Sequence, residues 1–116
     1  MSVVEQYARV HIVTGSQEGE NAVPVVLRYD PEADPRVVRI GLPGPHEWKF
    51  TRDLLERGLR APVRSGDVEI WPCGRVQAIM EFHSPKGTAV VQFDAKTLIR
   101  FLRRTYLAAE VTPVAH

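Results

Sequence analysis

The 116-residue sequence predicts an α+β domain of mostly antiparallel sheet, with about seven strands and two helices in the order ββββα-βββα. Three observations carry this reading. Apolar residues recur at every second position through most of the chain, as in strands with one buried face. Two stretches, opening at Thr51 and Asp94, switch to helical spacing behind capping residues. The connections between strands are too short for the crossovers that parallel neighbours need, so the strands pair antiparallel.

Taken in order, Ala8, Val10 and Ile12 alternate with Arg9, His11 and Val13 and define the first strand. The polar stretch Gly15 to Asn21 turns the chain into a second, with Val23, Val25, Leu27 and Tyr29 on one face. Asp30 to Pro35 is a capped turn, because aspartate side chains bond to nearby backbone and proline fixes φ. Val38, Ile40 and Leu42 mark a third strand, broken by Pro43-Gly44-Pro45, and Trp48 and Phe50 share a face of the fourth. Thr51 then caps a short helix carrying Leu54, Leu55 and Leu59, with Asp53 in its first turn and Gly58 suited to a left-handed residue past its end.

Pro62 closes that unit, and Ser65-Gly66-Asp67 turns into Val68 and Ile70, with Glu69 and Trp71 on the opposite face. Val76, Ala78, Met80 and Phe82 alternate with Gln77, Ile79, Glu81 and His83 in the clearest strand of the chain. Ser84-Pro85-Lys86-Gly87 has type I turn chemistry and joins it to a strand ending near Phe93. Beyond Asp94, Leu98, Phe101, Leu102 and Thr105 form the buried stripe of a longer helix, which ends between Tyr106 and Ala109. Residues 1–116 thus read as a single domain, with a frayed tail from about residue 108.

Composition narrows the function. Fifteen basic against fourteen acidic residues give a net charge of +1, which announces no polyanionic partner. One cysteine, Cys73, allows no internal disulfide and no multi-cysteine zinc site, and fits a reducing compartment. No apolar run reaches the length of a signal peptide or of the roughly 20 residues of a spanning helix, so a cytoplasmic protein is expected.

No catalytic, cofactor or metal motif survives inspection. His46-Glu47-Trp48-Lys49-Phe50 opens like a zinc-protease helix but lacks the second histidine. Asp30, Glu32 and Asp34 alternate as in a calcium loop, yet Pro35 and Gly41 stand where glycine and glutamate are needed. Lys86-Gly87-Thr88 is no phosphate loop, and His83 and Ser84, adjacent on a strand, face opposite ways. One electrostatic feature remains: Lys96, Arg100, Arg103 and Arg104 lie opposite the apolar stripe of the last helix at about 100° per residue. Such a basic face is solvated surface or a dock for an acidic peptide or a phosphate backbone.

Leu27-Arg28-Tyr29-Asp30 with Asp34-Pro35, and above all Trp48-Lys49-Phe50-Thr51-Arg52-Asp53-Leu54-Leu55 with Gly58-Leu59, resemble motifs of the SsgA-like proteins, the sporulation and cell-division regulators of actinobacteria. Gly66-Asp67-Val68 with Trp71-Pro72, Ser84-Pro85 with Gly87 and Ala89, and Leu98, Phe101-Leu102 and Arg104-Thr105 continue the resemblance from Val25 to Thr105. Thr51, where alanine is usual, and the tail from Ala108 depart from the pattern.

The resemblance implies a trimer-forming, whirly-like fold and a non-enzymatic regulator that positions division septa by recruiting the tubulin-like FtsZ or another septal protein. The alternative is a single-stranded nucleic-acid binder, suggested by the basic face and the whirly-like element order. Interfaces concentrate energy in aromatic and arginine anchors, which makes Tyr29, Arg52, Asp53, Trp71, Arg100 and Arg103 the expected partner-binding residues.

Overall fold

The computed structural model describes residues 3–13, 22–42 and 46–111. Its elements are β1 (Val4–Val13), β2 (Ala22–Tyr29), β3 (Val37–Leu42), β4 (His46–Thr51), α1 (Arg52–Gly58), β5 (Val63–Ser65), β6 (Val68–Cys73), β7 (Gln77–Ser84), β8 (Gly87–Asp94) and α2 (Ala95–Val111). The α+β class and the antiparallel pairing are as the alternation dictated. The strands form one eight-stranded sheet in the order β4-β3-β2-β1-β8-β7-β6-β5. Each half of the chain is thus a four-stranded meander followed by its helix, and the halves meet where β1 pairs with β8.

The strand beyond the seven expected is β5, which spans three residues and of which only Val63 is partly buried. No alternation can show in so short a piece, and only its pairing of Val63 to Ile70 and Ser65 to Val68 makes it a strand. At the other end, α2 runs to Val111 because Ala108 still packs on the core three residues after the buried Thr105. The turn at 15–21, the break at 43–45 and residues 112–116 lie outside the described residues.

The sheet curls, bringing elements from its two ends together. The Trp48 ring of β4 stacks on Phe82 of β7 with centroids 5.1 Å apart, and Phe50 lies 6.3 Å from the same ring. Inside the curl, Val10, Leu27, Ile40, Ile70, Met80, Val91 and Phe93 are buried on the inward face, and Leu98, Phe101 and Leu102 of α2 cover them. Each such side chain contributes on the order of 1.5–3 kcal/mol by leaving water. The buried Gln6 donates from Nε2 to the Thr97 carbonyl at 2.9 Å and so pins β1 to α2 with its polar atoms engaged.

Two expected local roles are corrected. Gly58 does not occupy a left-handed position; it is the last residue of α1, and Leu59 after it is right-handed. Its lack of a side chain matters for packing, since a Cβ there would stand 2.4 Å from Ile70 Cγ2. Val76 does not open the inward face of β7 but sits 63% exposed in the preceding turn, where its carbonyl accepts the Ala95 N–H at 2.8 Å. The Thr51 cap is as expected, with Oγ1 accepting the Leu54 N–H at 3.0 Å.

Candidate interaction surfaces

Where β4 runs into α1, the chain turns so that Arg52 leaves the sheet beside the turn that follows β2. The Arg52 N–H donates to the Arg36 carbonyl at 2.8 Å, which fixes the backbone there. Its guanidinium lies between two phenols: 3.9 Å over the Tyr106 ring of α2, and 5.4 Å from the Tyr29 centroid, with Nη1 donating to the Tyr29 hydroxyl at 3.3 Å. The Tyr29 hydroxyl donates in turn to the Pro35 carbonyl at 2.9 Å. Tyr106 donates to the Glu56 carboxylate, tying the end of α2 to α1. A groove of about 270 Å³ opens here, lined by Arg36, Thr51, Arg52, Asp53 and Tyr106.

The electrostatics follow from these contacts. Tyr29 is held above its ordinary pKa chiefly by burial, partly offset by the Arg52 cation. Tyr106 is also raised, first by the hydrogen bond it donates to Glu56 and then by burial. Both phenols therefore stay neutral and present π faces to Arg52, an arrangement worth about 0.5–1 kcal/mol at exposed sites.

Of the residues expected to bind a partner, Tyr29, Arg52 and Asp53 come together here. Tyr29, at 1% exposure, offers no surface of its own; it belongs to the inward face of β2 and acts as a support for Arg52. Asp53 is exposed and pairs with Arg57 at 3.4 Å along α1. Tyr106 and Glu56 were not expected to take part. Tyr106 follows the last residue of the apolar stripe, a spacing that gives no hint of its contact with α1.

The outer face of α2 is basic, as its spacing required. Lys96, Arg100, Arg103 and Arg104 are exposed, with Ile99 and Leu107 exposed among them at 47% and 55%. Arg104 is tied back, donating to the Glu5 carbonyl at 3.3 Å and to Gln6 Oε1 at 3.2 Å. Arg100 and Arg103 have no ion-pair partner among the described residues. Arg103 precedes Tyr106 by three residues, so the basic face and the Arg52 cluster adjoin.

Trp71 lies apart, on the outward face of the sheet. It is half-buried and pairs across to Ile79, which is only 7% exposed yet does not belong to the main core cluster. The turn carboxylates of Asp30 and Asp34 accept from the backbone N–H groups of Glu32 and Arg36, each at 3.0 Å, as in the capped turn expected there.

Residues 23–112 match the model of the family described as Streptomyces sporulation and cell division protein, SsgA. The chain belongs to the SsgA family. Among SsgA-family relatives, the sporulation-specific cell division protein SsgB of Streptomyces coelicolor is 40% identical over 97 residues, covering 78% of this chain and 70% of the relative. A solved structure from work on SsgB mutations that correlate with longitudinal cell division during sporulation of Streptomyces coelicolor superposes with a TM-score of 0.79 at 35% identity, covering 91% of this chain and 87% of that one. The SsgA-like sporulation-specific cell division protein from Thermobifida fusca superposes with a TM-score of 0.73 at 30% identity, covering 97% and 84%. These SsgA-family relatives carry division and sporulation names, which supports such a role here. No helix among the described residues is long and apolar enough to cross a membrane.

Proposed function

We propose that this chain is a non-enzymatic adaptor that positions division septa by recruiting FtsZ or another septal protein from the cytoplasm. The observation that carries the proposal is the continuous exposed surface formed by Arg100 and Arg103 of α2, the adjoining Tyr106 and the Arg52 it covers. Arginines without an ion-pair partner among the described residues, a half-exposed aromatic and the exposed Ile99 and Leu107 supply both the charge and the apolar anchors that protein interfaces use. Asp53 borders this surface, and Trp71 offers a second contact on the opposite side of the sheet.

Co-sedimentation with FtsZ polymers tests the proposal. The wild-type chain is expected in the pellet above a control protein, and the double charge reversal Arg100→Glu with Arg103→Glu is expected to remain in the supernatant. No enrichment of the wild type would overturn the reading. The family resemblance favours a homotrimer as the working form, which light scattering on the purified chain measures directly. Single-stranded nucleic acid is the second reading, because Lys96, Arg100 and Arg103 form a cationic row beside Tyr106. Low-salt anisotropy with a single-stranded oligonucleotide separates it from the first, since phosphate binding falls steeply with salt and is lost on the same charge reversal.

A further inference from the structure

The outward face of β6 and β7 gathers three residues of metal-binding type that no sequence motif connects. Glu69 stands directly opposite Glu81 across the β6–β7 pair, and His83 follows Glu81 by two residues, on the same face. Donor atoms of the three lie within 4.8 Å of one another. Like charges placed directly opposite on a sheet destabilise it unless a cation lies between them.

A second observation concerns the histidine ring. His83 Nδ1 lies 3.1 Å from the Thr88 hydroxyl of its paired residue on β8. Nε2, on the other side, is sealed from solvent and makes no hydrogen bond among the described residues. Glu81 Oε1 is 3.1 Å from it, an ion-pair distance, but off the line that an N–H would need. The Thr88 hydroxyl can accept a proton held on Nδ1, and in that tautomer the Nε2 lone pair turns toward two carboxylates, the form an ion bound at Nε2 selects. Two ligands about 2.1 Å from a tetrahedral ion stand roughly 3.4 Å apart, close to the separation already present between Nε2 and Oε1.

We propose that Glu69, Glu81 and His83 form a binding site for a divalent transition-metal ion, with Zn²⁺ the ion their donor set favours. One imidazole nitrogen and two carboxylate oxygens supply three protein ligands, and Thr88 fixes the ring as an outer partner. Nε2 itself is sealed, so an ion enters as the His83 and Glu81 side chains, 31% and 24% exposed, shift aside, and the position facing solvent stays open. Rotation about the flexible Glu69 side chain brings its oxygen into range, and the two strands hold the other ligands.

Titration calorimetry with ZnCl₂ on the tag-free, metal-stripped full chain tests this, together with Co²⁺ absorption and Co²⁺ quenching of tryptophan fluorescence. Trp71 follows Glu69 by two residues on the same face, roughly 7 Å along the strand, and serves as the local reporter. One saturable site per chain is expected, weakened at least about tenfold by His83→Ala or Glu81→Gln and about tenfold by Thr88→Val, with His11→Ala unchanged. Circular dichroism verifies folding, and should His83→Ala misfold, Glu81→Gln and Glu69→Gln decide the matter. Absence of saturable Zn²⁺ uptake by the wild type, or wild-type affinity in the Glu81→Gln variant, would overturn the proposal.

Discussion

Gly58 shows how a residue's reason can lie outside its own segment. Its place near the end of α1 suggested a left-handed cap, but the requirement comes from Ile70 on β6, whose Cβ would be 2.5 Å from any added methyl. Sequence spacing cannot register that approach, because it depends on where β6 docks. Gly58→Ala is expected to destabilise the fold by about 1–3 kcal/mol through overpacking, read as a lower urea midpoint with an unchanged slope. An equal midpoint would mean that Ile70 yields freely.

Tyr106 gives a second test at this scale. Its folded-state pKa lies above 10.0, so the fold binds its proton more tightly than the unfolded chain does. The stabilisation is therefore complete below about pH 10 and is lost as pH rises through the raised value. Tyr106→Phe removes the Glu56 hydrogen bond, so the stability gap between wild type and variant should be constant at neutral pH and shrink above pH 10. A gap independent of pH through the alkaline limb would refute this.

Elements with a long period were legible, and short or docked ones were not. The stripe of Leu98, Phe101, Leu102 and Thr105 named the buried face of α2 because its i, i+3, i+4, i+7 spacing, sustained over about two turns, fits a helix and not a strand. Phe101→Ala is expected to cost about 3–5 kcal/mol. Thr51→Ala should cost about 1 kcal/mol by stripping the α1 cap. Reversing Arg100 and Arg103, which pair with no carboxylate among the described residues, should change stability by no more than about 0.5 kcal/mol, so lost binding in that variant would report the surface. The basic face was legible too, but not that Arg104 turns back to Glu5 and Gln6. That detail needs β1 and α2 to be docked. The Glu69, Glu81 and His83 cluster was hidden for the same kind of reason: its members are twelve and two residues apart, and only the β6–β7 register sets the distant one opposite its partner.

At the scale of the molecule, the repeat of strands and helix was visible in the sequence as element order, while the way the halves join was not. Within each half every strand pairs with its chain neighbour, while among the described residues β1 and β8 meet only at His11–Gln92, Ile12–Val91 and Val13–Val90. A seam this short is expected to open before the meanders do. Native-state hydrogen exchange should therefore give lower opening free energies for its inter-strand amides than for those between β7 and β8. Uniform protection across the sheet would show that the halves open together.

That seam also sets an order of events during synthesis. The first strand made has one side covered by β2 almost at once, while its other side waits for residues 90–92, about eighty positions later. At ribosomal speeds of about 5–20 residues per second, the wait is on the order of ten seconds. Throughout it, the nascent amino-terminal meander exposes an unpaired strand edge, the surface most prone to capture another unfinished chain. The part of the sheet completed last is therefore what ends the vulnerability of the part begun first.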